Sequence, residues 1–180
     1  RDVIIEEVNP AEFSQLYVGT VKFDDTVANC YVFYDVNKDT PYYPGDEWII
    51  EISGACEDSK FNHVKKVQYG AGSVEFEVPN PKLWWPKGYG EPNLYAVTVS
   101  LIKDGETVLE KSFNFGIRTV KLSYSDSEKM DFTFVVNNER VFLRGVNWIP
   151  LSIYASENKK RLLKSFELLN ESNSNAVRCW

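Results

Sequence analysis

Asn147, Trp148, Arg178 and Trp180 are the residues of this 180-residue chain whose types and positions best suit chemistry. The first two close the run F-L-R-G-V-N-W-I-P (Phe142 to Pro150), and the last two close N-A-V-R-C-W (Asn175 to Trp180). A guanidinium offers a planar fork to a carboxylate, an amide offers both a donor and an acceptor, and an indole offers a flat apolar face with one N–H. A helical pattern lies between the two runs. Strand, helix and strand in that order open a parallel β/α unit, which buries both faces of its sheet only with further strands and helices. In a β/α barrel the strand ends hold the reacting groups. The expectation is a piece of a larger enzyme, cut where its active site begins.

The elements that must hold these residues divide into two kinds. From residue 2 to about 119 the pattern is all-β. Strands are expected at Asp2–Val8, Leu16–Phe23, Cys30–Val36, Trp48–Ser53, Val64–Tyr69, Val74–Val78, Leu94–Ile102 and Val108–Phe113. Cys30, Val32, Tyr34 and Val36 share one face of the third, with Tyr31 and Phe33 on the other. V-E-F-E-V (Val74 to Val78) alternates apolar with acidic, so one face meets a core and the other water. P-Y-Y-P-G-D (Pro41 to Asp46) marks a turn, and K-D-G-E (Lys103 to Glu106) a hairpin, because Asp-Gly tolerates positive φ. Short strands with regular turns suggest an immunoglobulin-like β-sandwich, though the Cys–Trp–Cys signature of antibody domains is missing.

A second character begins near Val120. Phe132–Val136 and Arg140–Leu143 flank N-N-E as a hairpin, and Gly145 suits a close approach of backbones. Ser156 is the expected N-cap of a helix running to about Asn170. Leu162, Leu163, Phe166 and Leu169 recur at helical spacing as its buried stripe. Ala176 to Cys179 then resumes as a strand. The fold class is therefore mainly β: a sandwich over 1–119, then over 120–180 the truncated first elements of a (β/α)8 TIM barrel (entry hairpin, strand 1, helix 1, strand 2).

Composition removes several classes of function. Hydrophobic residues make up 43% and aromatics 14%, which suits a packed core and argues against disorder. The formal charge is −6 without a basic run, so nucleic acid is not an expected partner. No apolar stretch approaches the roughly 20 residues that cross a bilayer, so no membrane is expected either. Three cysteines, Cys30, Cys56 and Cys179, make no disulfide framework; small buried thiols are the simpler reading, with a Cys30–Cys56 bridge as the alternative. His63 is the only histidine, which removes multi-His metal sites and His-based triads within the chain. No cofactor or metal is expected. G-Y-G (Gly88 to Gly90) lacks the setting of a phosphate loop, and N-E-S at Asn170 matches the N-glycosylation pattern weakly. The acidic pairs Glu6–Glu7 and Asp46–Glu47 diverge on a strand and read as solvated surface.

Four motifs in order then point to a family: L-W-W-P-K-G-Y-G-E-P-N-L-Y (Leu83 to Tyr95), F-G-I-R-T-V (Phe115 to Val120), F-V-V-N-N-E-R-V-F-L-R-G-V-N-W-I-P (Phe134 to Pro150) and N-A-V-R-C-W. Together they resemble glycoside hydrolase family 2, and W-W-P-K-G-Y-G and N-W-I-P resemble its β-mannosidase branch. N-A-V-R-C resembles the β-galactosidase branch instead, and Trp180 swings the reading back. The resemblance implies a parent with a jelly-roll domain before residue 1, a sandwich over 1–119 and a catalytic barrel from about 120, acting on a β-mannoside oligosaccharide as a retaining exo-β-mannosidase. It implies that the acid/base and nucleophile Glu lie beyond this chain, so these 180 residues should be inactive alone. An exo-β-glucosaminidase, a β-galactosidase, or a non-catalytic sandwich that binds carbohydrate or protein are the alternatives.

Within that frame Arg178 is expected beside the nucleophilic carboxylate, keeping it ionised; an ion pair with an acid on a neighbouring strand is its other reading. Trp180 would wall the subsite of the cleaved sugar or else pack in the barrel core. Asn147 and Trp148 would line the same pocket or serve packing. Trp84, Trp85 and Tyr89 are expected to pack against a neighbouring domain rather than bind sugar, with Arg118 anchoring the junction between sandwich and barrel.

Overall fold

The computed structural model describes residues 11–38, 47–68, 70–124, 132–149 and 155–179. The strand expected at Asp2–Val8, the turn at Pro41–Asp46 and Trp180 lie outside them. The described chain divides into two compact units. One runs to Trp84 and includes 92–119; the other gathers 85–91 with the residues from Val120 onward.

The first unit is a sandwich. Strands β1 (Ala11–Phe23), β2 (Val27–Lys38), β3 (Trp48–Cys56), β4 (Ser59–Val67), β5 (Ala71–Pro79), β6 (Tyr95–Lys103) and β7 (Glu106–Phe115) form two antiparallel sheets, ordered β1-β2-β5 and β4-β3-β6-β7. The alternation read from the sequence is the reason they can pack. Cys30, Val32, Tyr34 and Val36 of β2 and Val74, Phe76 and Val78 of β5 are all buried. They join Ile50 and Ile52 of β3 and Tyr95, Val97, Val99 and Leu101 of β6 in one core. Side chains from the two inner faces fill the space between sheets, as sandwiches require.

Turn chemistry sets the register. Asp104 (φ 51°) and Gly105 (φ 87°) make the two-residue loop between β6 and β7. Asp24 makes the β1–β2 turn: its Oδ1 accepts from the Thr26 hydroxyl at 2.7 Å, the Thr26 N–H at 2.8 Å and the Val27 N–H at 2.9 Å. Those donors, the hydroxyl first, hold the Asp24 carboxyl below its usual range. The β3–β4 hairpin differs from expectation. It turns tightly at Glu57 (φ 53°) and Asp58, so β4 begins at Ser59 rather than Val64. No glycine marks that turn.

The buried Tyr95 and Ser59 hydroxyls are paired. The Tyr95 hydroxyl donates to Ser59 Oγ at 2.7 Å and accepts the Lys82 N–H at 2.9 Å, and Ser59 Oγ donates to the Pro79 carbonyl at 2.9 Å. His63 Nε2 lies 2.7 Å from the Glu77 carbonyl, so that nitrogen carries the proton. Cys30 and Cys56 are buried free thiols; the alternative of a bridge between them is set aside.

In the second unit, β8 (Val120–Tyr124), β9 (Phe132–Val136) and β10 (Glu139–Val141) form an antiparallel sheet ordered β10-β9-β8. Asn137 (φ 51°) and Asn138 (φ 67°) turn β9 into β10, since asparagine tolerates the left-handed region. Then come β11 (Gly145–Trp148), helix α1 (Ala155–Glu171) and β12 (Ala176–Cys179), with β11 and β12 parallel. The helix begins at Ala155, one residue before the expected cap Ser156. Asn173 (φ 57°) ends it, and the Ser174 N–H returns to the Leu169 carbonyl at 3.1 Å. The expected buried stripe is corrected: Leu162 and Leu169 are half-buried, whereas Leu163 is 62% and Phe166 51% exposed. Two short strands do not offer enough surface to cover it.

Candidate functional site

The site is built on β11 and β12. Their register pairs Gly145 with Ala176, Val146 with Val177, Asn147 with Arg178 and Trp148 with Cys179. Partners in a parallel pair point to the same face, and successive residues alternate. Asn147 and Arg178 therefore share one face, and both are exposed. Trp148 and Cys179 share the other. There the Trp148 ring stacks on Phe166 of α1, with centroids 6.0 Å apart and planes 12° from parallel.

Of the four residues expected to rim one mouth, the structure brings Asn147 and Arg178 together. Trp148 is corrected to the opposite face, where it packs on the helix; the alternation of a four-residue strand allows no other outcome once Asn147 is placed. Trp180 lies outside the described residues. No residue of β11 or β12 is acidic, so these strand ends hold a cation and an amide without a carboxylate. Among the described residues, no group of three or more His, Cys, Asp or Glu side chains could hold a metal ion.

One small residue lets the strands meet. A Cβ at Gly145 would run into the carbonyl oxygen of Ala176, so glycine is required for the close approach. Asn175 latches the strand entries. Its Nδ2 donates to the Phe142 carbonyl at 3.0 Å, its Oδ1 accepts the Arg144 N–H at 2.8 Å, and its own N–H donates to the Arg144 carbonyl at 2.8 Å.

The loop 85–91 belongs to the same unit. The Tyr89 hydroxyl accepts the Phe142 N–H at 2.7 Å, three residues before β11. Lys87 Nζ donates to the backbone carbonyl of Asn170 at 2.5 Å and to its Oδ1 at 2.7 Å, in the last turn of α1. The amide of the N-E-S pattern is thus engaged. Trp84, by contrast, stays with the sandwich: the Arg118 guanidinium stacks 4.6 Å from its ring centre, and Gly116 packs beneath it. Sequence reasoning missed Lys87, Asn175 and Phe166 as supports of the site. Asn175 had a signal, a lone amide directly before the strand that ends in Arg178; Lys87 had none, because its partner is 83 residues away.

Comparison with known proteins adds independent information. Residues 16–118 match the model of a family described as glycosyl hydrolases family 2. Beta-mannosidase B of Aspergillus clavatus is 40% identical over 113 residues, which are 62% of this chain and 13% of that protein. Beta-mannosidase B of Aspergillus terreus is 32% identical over 144 residues, 72% of this chain and 17% of that protein. Among solved structures, a β-D-mannosidase from Dictyoglomus thermophilum superposes with a TM-score of 0.73 at 28% identity, covering 97% of this chain and 22% of that one. The chain thus spans less than a quarter of each protein it resembles here.

Proposed function

The chain belongs to glycosyl hydrolases family 2, and from that premise we propose that it is part of a retaining exo-β-mannosidase that removes terminal non-reducing β-D-mannose. In this reading 1–119 is the sandwich domain and 120–180 is the start of a (β/α)8 catalytic barrel, and a jelly-roll domain and the remaining barrel belong to the full-length protein. The observation that carries it is the parallel β11–α1–β12 unit with Asn147 and Arg178 on one face. The relatives named Beta-mannosidase B favour mannose over the galactosidase and glucosaminidase alternatives.

Retaining hydrolysis uses two carboxyls roughly 5–5.5 Å apart, one as acid/base and one as nucleophile. Both are assigned to later barrel strands. Arg178 lies beside the nucleophile and keeps it ionised, while its fork holds the carboxylate or a sugar hydroxyl. Asn147 hydrogen-bonds the sugar or the same carboxylate. Trp180 supplies the flat wall against the sugar ring. Trp148 takes no part in binding and braces β11 on α1.

Hydrolysis of aryl-β-mannoside by the full-length protein and by these 180 residues tests the reading. Turnover is expected only from the full-length protein. Turnover by the 180 residues alone would overturn the placement of the carboxylates, and a preference for aryl-β-galactoside or β-glucosaminide would replace mannose in the proposal.

A further inference from the structure

The loop 85–91 is tied to the β11–α1–β12 unit at two separate points. Tyr89 takes the Phe142 N–H as β11 is about to begin, and Lys87 holds both oxygens of Asn170 where α1 ends. The Asn175 latch joins Phe142 and Arg144 to the start of β12. The loop therefore grips the entrance of one strand and the helix that delivers the other. Asn147 stands five residues after Phe142, and Arg178 eight residues after Asn170.

From this we infer that Lys87 and Tyr89 are positioning residues for Asn147 and Arg178. Lys87 suits the task chemically. The last carbonyls of a helix lack intrahelical donors and carry the negative end of its dipole, so an ammonium there satisfies them and is attracted as well. α1 itself has no basic residue in its last turn, and the loop supplies the missing cation. Tyr89 suits its task for a related reason: the chain at Phe142 lies between β10 and β11, so its N–H takes a side-chain partner. Gly88 (φ 87°) lets the loop turn between the two grips. Strands of four residues have few ladder bonds of their own, so external ties decide how sharply Asn147 and Arg178 are placed. A small misplacement of such groups lowers turnover more than binding.

The inference rests on the proposed glycosidase reading only for its effect on turnover; its structural half is measured separately. In the full-length protein, Tyr89→Phe and Lys87→Met are followed by amide hydrogen exchange and by aryl-β-mannoside kinetics. Exchange is expected to quicken on the order of five-fold in peptides spanning 142–149 and 171–179, with 95–103 unchanged. kcat is expected to fall on the order of ten-fold with KM within about two-fold, and Lys87→Arg should restore both readouts. Unchanged exchange in the two peptides overturns the inference, whatever the activity. Faster exchange with wild-type kcat also overturns it, because the ties then do not serve the reaction. If the wild-type protein fails to cleave the mannoside while exchange quickens as expected, the ties stand and the mannosidase reading falls.

Discussion

Asn147 and Arg178 occupy paired positions on two parallel strands, so an amide and a guanidinium project from the same face of the β11–β12 ribbon. That pairing sets what each contributes. The amide offers neutral hydrogen bonds in two directions, and the guanidinium offers charge and a fork. A carboxylate or a polyhydroxylated ligand meeting this face finds both at once.

Removing the charge should change the pH profile as well as the rate. With Arg178→Ala in the full-length protein, the carboxylate that the proposed reading sets beside Arg178 should lose a nearby cation, and its pKa should rise. The acidic limb of kcat/KM should therefore move to higher pH by about one unit, and the plateau should drop at least about ten-fold. Arg178→Lys should return the limb toward wild type while leaving much of the rate loss, because an ammonium keeps the charge but not the planar fork. An acidic limb that stays put in Arg178→Ala would remove this residue from the site.

Gly145 should tolerate no side chain. The carbonyl of Ala176 occupies the space of its Cβ, so Gly145→Ala forces the two strands apart. A destabilisation of about 1–3 kcal/mol is expected from such overpacking, concentrated in the C-terminal unit. Urea unfolding followed by Trp148 fluorescence should show it, while β3 and β6 amides keep their protection.

The Tyr95 hydroxyl should matter more than its small size suggests. Tyr95→Phe keeps the ring in the sandwich core but strips Lys82 N–H of its acceptor and Ser59 Oγ of a donor. Leaving such groups unpaired costs about 1–3 kcal/mol. Ser59→Ala should cost less, because the Tyr95 hydroxyl still accepts the Lys82 N–H. Chemical denaturation of both variants and the double mutant would measure the coupling; strict additivity would argue against a connected chain.

Cys30 should make the sandwich weaken in alkali. Its side chain is buried in the core, and that burial pushes its thiol well above the ordinary thiol range, up to about 11, with the Thr20 hydroxyl opposing. A raised pKa means the unfolded chain gives up this proton first. The corresponding stability is complete below about pH 9 and disappears as pH rises toward 11. Tyr34 and Tyr95, also raised chiefly by burial, act in the same direction at higher pH. The denaturation midpoint should fall between pH 9 and 11, and Cys30→Ala should flatten that slope. Cys30 should also resist alkylation until the protein unfolds.

Much of the fold is legible because its signals are local. The alternation in β2 and β5 names the core face residue by residue, and Asp104-Gly105 and Asn137-Asn138 announce their turns by chemistry that acts over two residues. The β3–β4 turn is not legible in the same way, because Glu57 enters the left-handed region without being a residue that favours it. The helix stripe is legible as a period but not as burial, since burial depends on what else covers Leu163 and Phe166.

The sequence by itself determined the two kinds of architecture, the strand–helix–strand order at the end, and the four candidates Asn147, Trp148, Arg178 and Trp180. Tertiary structure alone decided which neighbours share a face, turning Trp148 to the helix and leaving Asn147 with Arg178. It also brought Lys87 to the end of α1 and Tyr89 to the chain just before β11. The physical reason is range: periodicity and turn preference act within a few residues, whereas register and side-chain ties join positions dozens of residues apart. No spacing along the chain encodes them until the backbone has folded.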